Sequence, residues 1–313
     1  MRAVIIPAWP NDFGQARITA PLSQRQRTHT MPITGHTQVF MIVGDPVAQV
    51  RAPEVYNHLF QRHGVDAVLV PMKVAPGLLA GFVRHAFGAQ NLAGMWVTIP
   101  HKTAMQGLMD HCDALAQMAG AVNAVRRGDG GRLEGALFDG VGFAKGLDHF
   151  GIPVAGRRVL VVGAGGGGQA VAAALAQRGA TLLAVYNRSA GRAAALVARL
   201  QARFGPAVAL AASADPAGFD LIINCTSQGL QADDALPIDV ARIDAGAAVV
   251  DIIMSRQPTP LLLACAARGI TAHAGFEMLV QQIPEYLRLF GMPALAATLQ
   301  GDLSEVRQLL YPR

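Results

Sequence analysis

The stretch Arg158-Val-Leu-Val-Val-Gly-Ala-Gly-Gly-Gly-Gly-Gln-Ala-Val-Ala-Ala-Ala-Leu175 decides the fold. Val159 to Val162 favour a strand, a glycine run follows, and an alanine-rich segment with good helix propensity comes after it. Gly163, Gly165 and Gly168 satisfy G-x-G-x-x-G in the strand–turn–helix setting that makes the pattern informative. The first glycine permits a tight turn and the second lets backbone approach a pyrophosphate. The third lets helix pack on strand, and the helix N-terminus offers unpaired N–H groups to phosphate. The spacing predicts a Rossmann dinucleotide site with Gly163, Ala164, Gly165, Gly166, Gly167 and Gly168 as its phosphate loop.

The next strand, Thr181–Tyr186, decides which dinucleotide. An NAD site places Asp or Glu about 20 residues past the glycines to hold the ribose 2′-hydroxyl. Here the strand ends in Asn187, Arg188 and Ser189, with Arg192 shortly after and no carboxylate. Arg188 can fork onto a 2′-phosphate and Arg192 can add a second charge. The expected cofactor is NADP.

Working outward, 313 residues suit two domains, and a 52% hydrophobic content is ample for a core. The chain has no run of 18 uncharged apolar residues. Its first 30 residues lack a secretory pattern and are read as unstructured; Met31 is a second candidate start. Three single cysteines, Cys112, Cys225 and Cys265, without metal spacing, suit a reducing cytoplasm. A net charge of +5, without basic runs or interleaved aromatics, argues against nucleic acid and fits small anionic ligands. The expected partner is a small-molecule substrate, with no metal, no nucleic acid and no membrane, for a cytoplasmic monomer or homodimer.

Before the glycine turn, residues 38–43, 65–70 and 91–99 read as strands, and residues 53–60 and 76–87 as helices. One further helix is expected across Met105, Leu108, Met109 and Leu115. That alternation predicts a parallel α/β sheet. Residues 139–151 read as a connecting helix, 220–224 and 248–253 as strands, and the chain from Met278 as helical with breaks near Pro284 and Pro293. The fold class is α/β: an N-terminal α/β substrate domain plus a Rossmann dinucleotide-binding domain. The expected boundaries are a flexible extension over 1–36, a substrate domain over 37–140 and 278–313, and an NADP domain over 141–277.

Three other stretches can carry chemistry: Val97–Lys102, Gly120–Asn123 and Gly135–Gly140. A lysine and an aspartate held together would handle the proton of a carbinol, the ammonium binding its oxygen and the carboxylate relaying its proton. Spacing alone does not decide between that pair and two ordinary surface charges.

In order, Gly44-Asp-Pro-Val-Ala, Val97-Thr-Ile-Pro-His-Lys102, Gly120-Ala-Val-Asn123 and Asp139-Gly-Val-Gly-Phe143 resemble the shikimate/quinate dehydrogenase family. So do Gly163-Ala-Gly-Gly, Asn187-Arg-Ser189, Asn224-Cys-Thr-Ser-Gln-Gly229, Asp251, Thr259-Pro-Leu261 and Gly275-Phe-Glu-Met-Leu-Val-Gln-Gln282. The resemblance covers residue 38 onward. It implies an active site in a cleft between the two domains, with Lys102 and Asp139 catalytic. It also implies Thr98, Asn123 and Gln282 as substrate contacts, and Thr226 and Gly275 beside the cofactor.

The departures concern substrate reading. Where the family has two serines for a substrate carboxylate, this chain has Val50 and Ala52. Trp96 stands for an asparagine, Leu137-Phe138 for Asn-Thr, and Met254 for a tyrosine. Hydrogen bonds to a charged group contribute about 1.5–3 kcal/mol each, so losing two implies a drop of about a hundredfold or more in affinity. Arg51 is the nearby cation, and nothing in the sequence places it where the serines would stand. The expectation is an NADP-dependent dehydrogenase acting on a cyclic, shikimate-like hydroxy compound with a bulkier, less polar pocket. The rivals are a biosynthetic shikimate dehydrogenase and a catalytically idle NADP-binding regulator; retention of Lys102 and Asp139 argues against the second. Folate-type dehydrogenases share the two-domain plan, but no feature here favours one.

Overall fold

The computed structural model describes residues 32–231, 233–254 and 258–310. Most of the expected N-terminal extension, as far as Met31, lies outside the described residues. The chain runs through β1 (Gln38–Gly44), α1 (Ala52–Arg62), β2 (Ala67–Lys73), α2 (Leu79–Ala86) and β3 (Leu92–Val97). It continues through α3 (Lys102–Gln106), β4 (His111–Cys112), α4 (Ala114–Ala119), β5 (Ala124–Arg127) and β6 (Leu133–Ala136). These strands form a six-stranded sheet in the order β2-β1-β3-β5-β6-β4.

This sheet is mixed, which corrects the expectation of a parallel one. β1 runs parallel to β2 and β3, but β5 is antiparallel to both β3 and β6. The reason is the connection: β5 and β6 are joined only by residues 128–132, where Gly130 and Gly131 take φ of 69° and 77°. So short a link reaches only an antiparallel neighbour. The single helix expected across Met105–Leu115 is two short helices with β4 between them. Asp113 restarts the second by accepting the Ala116 N–H at 2.6 Å on its side chain, an N-cap signal inside the apolar spacing.

The second half comprises α5 (Asp139–His149), β7 (Arg158–Val162), α6 (Gly166–Gln177), β8 (Leu182–Tyr186), α7 (Ala190–Phe204) and β9 (Val208–Leu210). Then come β10 (Leu221–Asn224), β11 (Ala248–Asp251), α8 (Pro260–Ala267) and β12 (Thr271–Ala274). Its six strands are all parallel, in the order β12-β11-β10-β7-β8-β9. The order reverses between β7 and β10, and in such sheets ligands lie outside the strand ends at that reversal. The glycine run leaves β7 at that place.

The chain closes with α9 (Phe276–Leu289), α10 (Pro293–Gly301) and α11 (Ser304–Leu310). α9 runs through Pro284 without ending, contrary to the break expected there, while Pro293 opens α10 as anticipated. These helices pack on the first sheet: Phe276, Ile283, Leu287, Leu295 and Val306 share a buried cluster with Phe40, Leu59, Phe60, Leu69 and Trp96. Full burial of each such side chain contributes about 1.5–3 kcal/mol.

Helix α5 packs against both α6 and α9. Gly140 faces α6, where a Cβ would collide with the Ala170 carbonyl. Gly142 and Gly146 face α9, where a Cβ would meet the Met278 carbonyl and the Glu277 Cβ respectively. Glycines weaken a helix by about 0.5–1 kcal/mol each, a cost that this close packing offsets. Gly142→Ala is expected to destabilise the fold by about 1–3 kcal/mol through overpacking. Gly81→Ala, where nothing lies within 4 Å of the added Cβ, should be neutral or stabilising. Thermal and denaturant melts of the two variants check the contrast.

Candidate active site

Lys102 and Asp139, 37 residues apart in sequence, meet: Lys102 Nζ donates to Asp139 Oδ2 at 2.5 Å. Their side chains are 13% and 4% exposed, so two ordinary surface charges are not what the fold makes of them. Each opens a helix. Lys102 starts α3 after the turn that follows β3, whose cis Ile99–Pro100 bond is followed by His101. The buried His101 ring donates from Nε2 to the Val74 carbonyl at 2.7 Å and fixes this turn. Asp139 is the first residue of α5, where the positive end of the helix favours a carboxylate.

The Gly120–Asn123 stretch ties the two segments together. Val122 N–H donates to the Lys102 carbonyl at 2.9 Å, and Asn123 Oδ1 accepts the Phe138 N–H at 2.9 Å. Asn123 Nδ2 donates to Gln282 Oε1 at 3.4 Å, and the Tyr286 hydroxyl donates to the Asn123 carbonyl at 3.1 Å. Asn123 is 1% exposed and stands behind the cavity wall, not on it. Burial pushes the Tyr286 phenol well above its usual range, and the nearby Asp139 charge adds to this.

A cavity of about 80 Å³ opens beside the pair, room for several waters. α1 supplies Ala52, Val55 and Tyr56 to its wall, the β3 end Trp96, Val97 and Thr98, and α9 Leu279, Gln282, Ile283 and Tyr286, with Leu310 of α11. Among the expected substrate residues, Ala52, Trp96, Thr98 and Gln282 are therefore together on one wall. Val50 and Met254 lie off it, packed against neighbouring apolar clusters. Arg51 does not enter: its guanidinium donates to Glu54 and to the Leu309 carbonyl, both at 2.8 Å. Tyr56 and Tyr286 were absent from the sequence-derived set. Tyr56 falls in the apolar rhythm Val55-Tyr56-Leu59-Phe60 and reads there as core.

The glycine turn lies next to this site. A Cβ on Gly166 would stand 3.0 Å from Lys102 Cβ. Gly163 takes φ 109°, and a Cβ there would press on the Cys225 carbonyl at 2.6 Å, the close crossing of β7 and β10. A Cβ on Gly168 would collide with the Gly163 carbonyl, so the third glycine does serve helix-to-strand packing. Gly165 has open space around it, and no side chain caps α6, leaving its first-turn amides to a ligand. Ala164 is buried, and its N–H donates to Asn187 Oδ1 at 2.9 Å. Asn187 Nδ2 donates to the Ser189 carbonyl at 3.0 Å, so Asn187 braces the turn. Arg188, Ser189 and Arg192 are exposed beyond β8.

Thr226 hydroxyl donates to Asn224 Oδ1 at 2.7 Å, stiffening the loop after β10. Gly275 precedes α9, where a Cβ would lie 2.6 Å from Ile252 Cα, and Gly167 faces the Ile252 side chain. Beneath these loops the buried Asp251 accepts from Thr259 Oγ1 at 2.6 Å and Asn224 Nδ2 at 3.0 Å. Burial raises its carboxyl above the usual range. Among the described residues no His, Cys, Asp and Glu cluster could hold a metal. No described helix is long and apolar enough to cross a membrane.

Residues 42–125 match the family model described as the shikimate dehydrogenase substrate binding domain, and residues 147–255 that described as shikimate / quinate 5-dehydrogenase. The chain is 38% identical over 282 residues to the shikimate dehydrogenase (NADP(+)) of Acidiphilium cryptum, covering 87% of this chain and 100% of that one. It is also similar to the crystal structure of shikimate dehydrogenase from Aquifex aeolicus, with a TM-score of 0.76 and 28% identity over 87% of this chain and 100% of that one. The 5-ketofructose reductase of a Gluconobacter strain matches with a TM-score of 0.72 and 28% identity, covering 86% and 99% of the two chains.

If Arg188 pairs with a 2′-phosphate, Arg188→Ala should weaken NADP about tenfold or more while leaving NAD nearly unchanged. Titration of both dinucleotides against the variant is the check, and equal losses would contradict the pairing.

Proposed function

Since the chain belongs to the shikimate/quinate dehydrogenase family, we propose that Lys102 and Asp139 carry out proton transfer in NADP-dependent oxidation and reduction at a ring CH–OH group. The observation that supports this most is the buried 2.5 Å contact between them on the wall of the cavity, beside the glycine turn. The residues fit the cofactor: an uncapped helix start, an open Gly165, and Arg188 and Arg192 where a carboxylate would repel a 2′-phosphate. Gly163 to Gly168 would hold the pyrophosphate, Arg188 and Arg192 the 2′-phosphate, and Asn187, Thr226 and Gly275 the shape of the surrounding loops. NADP supplies the hydride acceptor or donor when bound.

In oxidation, the Lys102–Asp139 pair takes the hydroxyl proton as the alcohol becomes a ketone. In reduction Lys102 gives a proton to the forming alkoxide. Asp139 holds the ammonium in place and balances its charge, so that neither ion is left unpaired in a dry wall. Gln282 and Thr98 are the polar side chains that would orient the ring. The domain division proposed is a substrate lobe of residues 37–140 and 278–313 around a cofactor lobe of 141–277.

The substrate proposed is a cyclic hydroxy compound with no carboxylate facing Ala52. A carboxylate there would meet neither serine nor Arg51, and desolvating an unpartnered charge is costly. The name of the similar 5-ketofructose reductase, which refers to an uncharged ketose, supports this reading. A second reading, shikimate itself, is favoured by the names of the relatives.

Lys102→Ala and Asp139→Asn should each cut turnover about a hundredfold or more with NADP affinity retained. Steady-state kinetics with parallel NADP titrations test the roles, and near-wild-type turnover by either variant would remove that residue from the mechanism. Wild-type enzyme should oxidise shikimate less efficiently than carboxylate-free ring alcohols, and Ala52→Ser should narrow the gap. Efficient shikimate oxidation by the wild type would establish the second reading.

A further inference from the structure

Several of the polar atoms on the cavity wall are spent within the protein. Lys102 and Asp139 hold each other, Tyr286 donates to the Asn123 carbonyl, and Gln282 accepts from Asn123. Besides Thr98 and the Gln282 amide N–H, two more are not, and these are fully buried: Tyr56 Oη and Trp96 Nε1 have no hydrogen-bond partner. Both residues line the cavity and are 3% exposed. Their rings meet edge to face with centroids 4.6 Å apart, so the two orphaned groups are neighbours. Packing holds them there. Trp96 stacks on Tyr286 at 5.1 Å and lies against Phe290 at 4.5 Å, and Tyr56 also meets Phe60 and Tyr286.

An indole N–H can only donate, and a phenol hydroxyl has one proton to give. An indole turned onto the phenol oxygen would still leave the phenol proton without an acceptor. The pair therefore lacks an acceptor oxygen, in a place where an orphaned donor is costly. Resting on the ring-alcohol reading above, we propose that Tyr56 and Trp96 form a seat for an uncharged oxygen of the substrate, a hydroxyl or carbonyl distinct from the reacting one. They are thereby specificity-determining residues.

The oxygen is uncharged because the surroundings offer no countercharge. Lys102 is the one cation among the described residues lining the cavity, and it is held by Asp139. Arg51 is turned to Glu54 and Leu309. Tyr56 itself stays neutral, since burial pushes its phenol far above the usual range. Two neutral donors among Val55, Ile283, Leu279 and Leu310 match a neutral acceptor better than an anion.

The test uses Tyr56→Phe and Trp96→Phe, which keep a ring and remove the donor. The probes are cyclohexane-1,2,3-triol and shikimate, added to the NADP-loaded enzyme. Binding is followed by calorimetry, and by the fluorescence of Trp96 with the Trp96→Phe protein subtracting the contribution of Trp9. Each variant should weaken triol binding about tenfold, while NADP affinity stays the same. The ligand-free melting temperature of Tyr56→Phe should be unchanged or higher, because a buried orphan has been removed with the ring kept, whereas Trp96→Phe also leaves a cavity and is read by binding alone. A structural hydrogen bond of the Tyr56 hydroxyl would instead lower the Tyr56→Phe value. Equal triol binding by wild type and both variants, no triol binding at all, or a marked loss of ligand-free stability in Tyr56→Phe would each overturn the seat. Preferential shikimate binding that both variants lose would overturn its neutral character. Binding without turnover by the wild type would sink the reading of a carboxylate-free ring alcohol as substrate and leave the seat intact, so the two failures are distinguishable.

Discussion

Asn123 is the constraint on which the site depends. A buried amide must find partners for both its ends, and here they lie far apart in the chain: the backbone before α5, a side chain of α9, and, through the Asn123 carbonyl, the Tyr286 hydroxyl one turn further along α9. Its neighbour Val122 holds the backbone of Lys102. The short, mixed strands β5 and β6 exist around this residue, and they set where α3 and α5 begin. The ion pair follows from the placing of those two helix starts. Lengthening or shortening the 128–132 turn would shift the strands and pull the two helix starts apart.

Close backbone approach is the second constraint. Gly140, Gly142 and Gly146 bring α5 against α6 on one side and α9 on the other, so the helix that begins with Asp139 is also the joint between the two sheets. Gly166 brings the glycine turn against the stem of Lys102. The glycine turn and the Lys102–Asp139 pair are thus neighbours through the absence of a side chain at Gly166.

The Rossmann half was legible because its signals are local. The strand, the glycine spacing and the missing carboxylate after β8 each state their physical reason within a few residues. The mixed sheet was not legible. β5 and β6 have four residues each and no alternating pattern, and their pairing is fixed by a glycine turn whose φ values sequence does not display. Asp113 gave a cap signal that the surrounding Met and Leu spacing masked. In the site, residue types predicted chemistry but not orientation. Arg51 had the right charge and turned to a helix end. Asn123 had the right polarity and took a place behind the wall. Tyr56 had core-like spacing and faces the cavity.

The packing of α9, α10 and α11 on the first sheet carries a consequence for the order of synthesis. Phe40, Leu59, Phe60 and Leu69 emerge from the ribosome well before the side chains that cover them, from Phe276 to Leu310. Between these events the whole parallel sheet is produced. Until the last helices arrive, the first sheet therefore presents an open apolar face to chaperones or to other nascent chains. Leu310, one of the last residues described, also lines the cavity. The wall of the cavity is accordingly completed only after the glycine turn has been made.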